Sequence, residues 1–291
     1  MSFEQDMQSF CNTHKFRKIK VRNTYFEYLL CGNPDSKRTI VYLVGGAGVP
    51  TLYYKHIEAM ENDYRILTMY YPQRIRTPEA LAEAIALLTW KLGIRKAVWI
   101  GSSFGGYMAQ LIARKHPEMT DGIGLYSTSG LTAFSMELLK KQYQHLIPMM
   151  WLIENFPSYE LLKKVMIPMS IKNIINADTS PEDAEYLKAV FTWLYGGYTR
   201  EFDAHITGLI MNLIDIQPCV KQDFAYLDGR VLIILPDNDR AFTPELQQEL
   251  LYTMPDSTVE TLSGGHAATL YKVDSYVDAT KKFLESLPES E

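Results

Sequence analysis

The chain has 291 residues, enough for one large domain or two modest ones with a substantial core. Its 47% hydrophobic and 22% charged residues are ordinary for a soluble globular protein, and a formal net charge of -5 without a long basic run argues against a nucleic-acid footprint. Three widely spaced cysteines, Cys11, Cys31 and Cys219, have the spacing of neither a disulfide framework nor a zinc motif and fit a reducing cytoplasm. The acidic start Met1-Ser2-Phe3-Glu4-Gln5-Asp6 lacks the basic and then apolar run of a secretion signal, and no stretch approaches a charge-free membrane-spanning length. A cytoplasmic location without a membrane span is expected.

Strand-like and helix-like segments alternate through the first 130 residues. Residues 39–44 and 64–70 are rich in β-branched and aromatic side chains and read as strands, with a short helix from about Tyr53 to Asn62 between them. Thr77-Pro78-Glu79 opens the next helix: threonine caps, proline loses no needed donor in the first turn, and glutamate favours the positive helix end. Leu81, Ile85, Leu88 and Leu92 recur at helical spacing and Gly93 is placed to end it. A buried strand over 96–100, a helix after Gly105 and a strand over 122–126 complete a series that implies a mostly parallel sheet covered on both faces.

Residues 131–217 break the alternation. They read as helical and rich in Met and aromatic residues, with Ser180-Pro181-Glu182 as a start signal and Gly196-Gly197 as a stop. Strands return at 230–235 and 258–262, Thr243-Pro244-Glu245 opens a helix, and a single helix over about 270–287 closes the chain. The economical reading is a discontinuous α/β core, 1–130 and 218–291, interrupted by a helical insertion, 131–217.

Gly101-Ser102-Ser103-Phe104-Gly105 lies where the 96–100 strand turns into its helix. Such a turn forces one residue into a cramped backbone conformation, and flanking glycines keep side chains away while the serine oxygen is lifted clear of the sheet. Ser103 is therefore the nucleophile candidate, and it needs a base, because a serine hydroxyl is a poor nucleophile at neutral pH. Of six histidines, His266 stands out: it follows a strand late in the chain, in the small-residue loop Ser263-Gly264-Gly265-His266-Ala267. His14 and His116 read as surface residues near element ends, His56 sits on a short helix, and His145 and His205 lie in the insertion. An imidazole base needs a carboxylate to hold its tautomer. Asp239, in Asp237-Asn238-Asp239-Arg240 at the C-terminal end of the 231–235 strand, is the acid candidate, with Asp237 in reserve. Val44-Gly45-Gly46-Ala47-Gly48 follows the 39–44 strand and lacks the lysine of a phosphate-binding loop. It is read as an oxyanion loop, with donors at the amides of Gly46 and Phe104 and with Ala47 as alternative to Gly46.

These motifs and their order, Ser103, Asp239, His266, resemble the α/β-hydrolase superfamily over nearly the whole chain. The resemblance implies an α/β-hydrolase fold, a mostly parallel central sheet flanked by helices, with residues 131–217 as a helical cap. Two departures stand out: the family histidine of the oxyanion loop is Val44 here, and Tyr71-Pro72-Gln73-Arg74-Ile75-Arg76 replaces the Asp-x-x-Gly-x-Gly-x-Ser segment of many members. In both respects the chain looks closer to the maspardin-like branch, which is associated with protein binding. The expected function is hydrolysis of a carboxylic ester, or a related acyl bond, of a small to medium hydrophobic substrate, with a binding or scaffold role on the same fold as alternative. The chemistry calls for no metal or organic cofactor, and the expected partner is a small-molecule acyl substrate. Arg74, Arg76 and Arg240 read as solvated surface residues rather than ligands for a substrate carboxylate.

Overall fold

The computed structural model describes residues 3–144, 146–175, 179–254 and 256–288, so His145 lies outside the described residues. Eight strands, β1 (Arg17–Val21), β2 (Thr24–Gly32), β3 (Thr39–Leu43), β4 (Arg65–Met69), β5 (Ala97–Ser102), β6 (Thr120–Tyr126), β7 (Val231–Pro236) and β8 (Thr258–Leu262), form one sheet. Their order is β1-β2-β4-β3-β5-β6-β7-β8; β2 is antiparallel to β1 and β4, and every other neighbouring pair is parallel. Strands β3, β5, β6 and β7 are buried at every position, which requires cover on both faces and explains why they read as apolar runs rather than as alternation.

The helices are α1 (Phe3–Thr13), α2 (Tyr54–Met60), α3 (Pro78–Lys91), α4 (Phe104–Lys115), α5 (Ala133–Tyr143), α6 (Leu146–Asn155), α7 (Tyr159–Ile174), α8 (Pro181–Gly196), α9 (Arg200–Met211), α10 (Pro244–Thr253), α11 (Ala268–Tyr271) and α12 (Val273–Ser286). Helix α3 packs on α4, and α2 on α12, around a core whose largest fully buried side chains include Trp99, Tyr42, Tyr107, Tyr126 and Tyr276. Helices α6, α7 and α8 share a second apolar cluster, built on Ile153, Tyr159, Leu162, Leu187, Phe191 and Leu194, which reaches Ala267 beside His266. No described helix is long and apolar enough to cross a membrane.

The start signals work as their chemistry requires. Thr77 Oγ1 accepts from the Ala80 amide and Ser180 Oγ from the Asp183 amide, each satisfying an N–H that a first helical turn leaves open. Thr243 departs from this pattern and makes no side-chain cap bond to its helix. The expected closing helix is two: Lys272, at φ −98° and ψ 36°, separates α11 from α12, so that α11 turns Thr269 and Leu270 inward. The first 32 residues carry an unexpected helix and hairpin, with Arg22 at φ 50° in the two-residue turn. In β1 and β2 exposed lysines stand beside tyrosines of which Tyr25 is exposed and Tyr28 buried, and that mixture weakens the period-two signal.

His56 is fully buried between the rings of Tyr42, Tyr53 and Tyr276, and its Nε2–H donates to the Thr269 carbonyl at 2.8 Å. Burial pulls its pKa down to about 4, against the partial restoring effect of that hydrogen bond. The unfolded chain therefore takes up a proton near pH 6.5 that the folded chain refuses until about pH 4, so His56 costs stability as pH falls through that window. In urea unfolding, the wild type is expected to lose roughly 2–3 kcal/mol more between pH 7 and pH 4.5 than His56→Gln, which keeps a donor without the titration. Parallel losses in the two proteins would refute the assignment.

Candidate active site

The turn from β5 into α4 is set by space. A Cβ at Gly101 would lie 2.1 Å from the Gly105 carbonyl, and one at Gly105 would lie 2.0 Å from the carbonyl oxygen of Leu43 on β3. With both flanks closed to side chains, Ser103 takes φ 53° and ψ −121°, a conformation that L residues rarely adopt. Its amide donates to the Tyr126 carbonyl at 2.9 Å, and Thr128 Oγ1 donates to its carbonyl at 2.9 Å, so the strained residue is pinned from the end of β6 and the loop that follows it.

Ser103, His266 and Asp239, separated by up to 163 residues, meet in one hydrogen-bonded line. His266 Nδ1 lies 3.0 and 3.1 Å from the two Asp239 carboxylate oxygens, which can only accept; Nδ1 therefore carries the hydrogen. That leaves the Nε2 lone pair facing Ser103, whose Oγ–H donates to it across 3.0 Å. The Asp239 side chain is completely buried and its Oδ1 also accepts from the amides of Ala241 and Phe242, at 2.8 and 3.3 Å. Asp237 has another task. Its exposed Oδ1 accepts from the Gly264 amide at 3.0 Å, and the Asn238 amide donates to the Gly264 carbonyl, so the loop after β7 is tied to the loop that carries His266. Phe242 packs against the His266 ring at 5.4 Å between centroids.

The Val44–Gly48 segment passes directly over this line, with a Cβ at Gly45 falling 3.6 Å from that of Ser103. The two departures noted in the sequence meet in one contact: the buried Tyr71 hydroxyl donates to the Val44 carbonyl at 2.9 Å. The Tyr198 hydroxyl donates to the Ala47 carbonyl at 2.5 Å, and the Tyr53 hydroxyl bridges the Leu43 carbonyl and the Ser102 amide. Two tyrosines thus brace the segment itself, and a third braces the residue before it. Sequence reasoning did not single them out, because a tyrosine before a proline or after a glycine pair carries no local signal of what its hydroxyl will reach. Phe104 is the first residue of α4, where a backbone N–H has no intrahelical partner.

A cavity of about 300 Å³ opens onto Ser103, His266 and Gly45–Ala47, and its far wall is apolar: Val49, Leu52, Ile174, Phe191, Tyr195 and Leu270. Arg74, Arg76 and Arg240 are exposed and line no part of it, and Arg74 donates to the Asn23 carbonyl. A larger depression of about 570 Å³, bordered by Lys55, Glu58, Lys272 and Asp274, does not include Ser103 and is more polar.

No protein-family model and no curated protein matches the sequence. Solved structures do. The chain is similar to an enol-lactonase from Burkholderia xenovorans, at 16% identity and a TM-score of 0.70, over 93% of this chain and 100% of that one. It is similar to the carboxylesterase CesB of Bacillus subtilis, at 14% identity and a TM-score of 0.66, over 97% and 96%. A thermophilic esterase from Thermogutta terrifontis is comparable, at 19% identity and a TM-score of 0.66, over 95% and 100%. The chain has the α/β-hydrolase fold.

The strain at Ser103 makes a direct expectation. Glycine adopts its backbone angles freely, whereas alanine keeps the steric penalty, so Ser103→Gly is expected to be more stable than Ser103→Ala by about 1 kcal/mol. Both lose the same hydroxyl, so thermal or urea unfolding of the pair isolates the backbone; an alanine variant of equal or greater stability would sink the claim.

Proposed function

We propose that this chain is a serine hydrolase that cleaves the carboxylic ester, or a related acyl bond, of a small to medium hydrophobic substrate. The observation that carries the reading is the Asp239–His266–Ser103 line opening onto an apolar cavity. In the proposed cycle His266 takes the Ser103 proton as Oγ attacks the carbonyl carbon. The Gly46 and Phe104 amides hold the resulting oxyanion, aided by the positive end of α4. The imidazolium, stabilised by the buried Asp239, then protonates the leaving alcohol as the carbon–oxygen bond breaks. Water, deprotonated by His266 in turn, attacks the acyl-enzyme and releases the acid.

The cavity volume lies at the small end of ligand pockets, which favours short acyl or alcohol groups over long chains. Residues 131–217 are read as a cap on a core formed by 1–130 and 218–291. The separate apolar cluster of α6–α8 supports this, as does the wall that Ile174, Phe191 and Tyr195 contribute to the cavity. The bracing of Val44 by Tyr71 favours turnover over a purely binding role, since it supplies the loop support that the departures from the family pattern had removed.

A fluorophosphonate probe is expected to label the wild type rapidly, Ser103→Ala not at all, and His266→Ala far more slowly. Against a panel of short-chain esters, Asp239→Asn is expected to reduce kcat by about 10⁴-fold, because the amide permits the wrong imidazole tautomer. An unlabelled but well-folded wild type would overturn the hydrolase reading in favour of a binding protein on this fold. Tyr71→Phe, which frees the Val44 carbonyl, is expected to lower kcat about tenfold with little change in KM, the equivalent of one lost hydrogen bond. A KM effect alone would show that the hydroxyl acts on binding instead.

A further inference from the structure

Three side chains of unlike chemistry converge far from Ser103. Cys31 stands near the end of β2, in register with Ile66 at the start of β4, whereas Ser103 follows the C-terminal end of β5. His14 directly follows α1, and Glu61 directly follows α2. An imidazole nitrogen, the thiol sulfur and a carboxylate oxygen from these residues all lie within 4.8 Å of one another. His14 Nε2 is 2.8 Å from Glu61 Oε2, and the two side chains are 11% and 27% exposed, so the cluster is sheltered yet reachable from solvent.

The backbone holds this meeting in place. Gly32, at φ +80°, passes so close to the end of α2 that a Cβ would lie 2.2 Å from the Tyr64 carbonyl oxygen and 3.0 Å from that of Glu61. The Asn33 amide then donates to the Glu61 carbonyl at 2.9 Å, which pins the chain leaving Cys31 to the residue that carries the carboxylate. The His14 amide donates to the Phe10 carbonyl at 2.8 Å, and its ring stacks on Phe10 with centroids 4.1 Å apart. Its Nδ1 lies 3.2 Å from that same carbonyl and 2.9 Å from the Thr13 hydroxyl oxygen, whose own proton can go to the Phe10 carbonyl, an arrangement of the kind by which a protein commonly orients a metal-binding imidazole. Nε2 is thereby aimed at the carboxylate.

We propose that His14, Cys31 and Glu61 bind a zinc ion that clamps α1 to the outer part of the sheet. Thiolate, imidazole and carboxylate are together the donor set of a borderline ion rather than of calcium or magnesium. On binding, the cysteine thiol gives up its proton to solvent and its sulfur becomes a thiolate ligand. Two negative ligands and one neutral ligand then balance the two positive charges of the ion. Widening the His14–Glu61 pair by about half an ångström gives the spacing of two ligands on a four-coordinate zinc, with water as the remaining ligand. The cysteine spacing hides such a site, because its other ligands come from two distant helix ends. The proposal does not rest on the chemistry of Ser103.

The test is zinc titration of the metal-stripped full-length chain against a chromophoric indicator, for wild type, Cys31→Ser and Glu61→Gln. One zinc per wild-type chain is expected, with each variant binding about tenfold more weakly or worse. Zinc is expected to raise the Tm of the wild type and leave that of Cys31→Ser unchanged. Cobalt in place of zinc is expected to give a near-ultraviolet sulfur-to-metal band that Cys31→Ser lacks. Should Cys31→Ser fold poorly without metal, Glu61→Gln carries the comparison. No binding at zinc concentrations on the order of 100 µM, or equal binding by wild type and both variants, would overturn the proposal and leave a His14–Glu61 ion pair beside a sheltered thiol.

Discussion

The turn from β5 into α4 is pressed so tightly onto the Leu43 carbonyl that no side chain fits on either flank, and the other features of the site follow from that closeness. It holds Ser103 at its positive φ and places the serine directly before the first residue of α4. It also brings the Val44–Gly48 segment, which continues from Leu43, directly over the serine. A looser packing of β3 on β5 would relax all of these together. The stability given up at one residue is recovered by the fully buried strands on either side, an instance of local strain sustained by a rigid surround.

Charge at the site is organised by burial and fixed dipoles. Asp239 is removed from water but accepts two backbone N–H bonds and one from His266, so the carboxylate keeps partners for its lone pairs. Those bonds leave it a single orientation, and the imidazole inherits that orientation. The neighbouring Asp237 performs no such role, although it is two residues away and chemically identical. It faces outward and ties two loops together.

Much of this was legible in the sequence. Ser103 and Asp239 are recognisable because each follows an apolar strand, and His266 because it follows a strand in a loop of small residues that have few other uses. The strands β3, β5, β6 and β7 were legible because burial on both faces leaves continuous apolar runs, whereas the largely exposed β8 showed itself by its β-branched residues. The N-terminal helix and hairpin escaped notice because partly exposed strands mix lysine and tyrosine into their alternation. Tyr53, Tyr71 and Tyr198 were illegible for another reason. Each acts through the last atom of a long side chain, upon a backbone group that is remote or across a turn, and no spacing rule encodes such a reach. The burial of His56 depends likewise on the break at Lys272, which places Thr269 where its carbonyl can be met.

The Tyr198 hydroxyl bond to the Ala47 carbonyl has a consequence for how such a protein can diverge. Tyr198 belongs to the helical stretch between β6 and β7, and Ala47 belongs to the loop leaving β3. The stretch that shapes the cavity is therefore also a structural member of the loop that overlies Ser103. Exchanging those helices for a different set would do more than recut the pocket: it would remove one of the loop's supports. The cavity can be reshaped freely by point changes at Ile174, Phe191 or Tyr195, whereas wholesale replacement of the helices must bring its own hydroxyl to the same carbonyl.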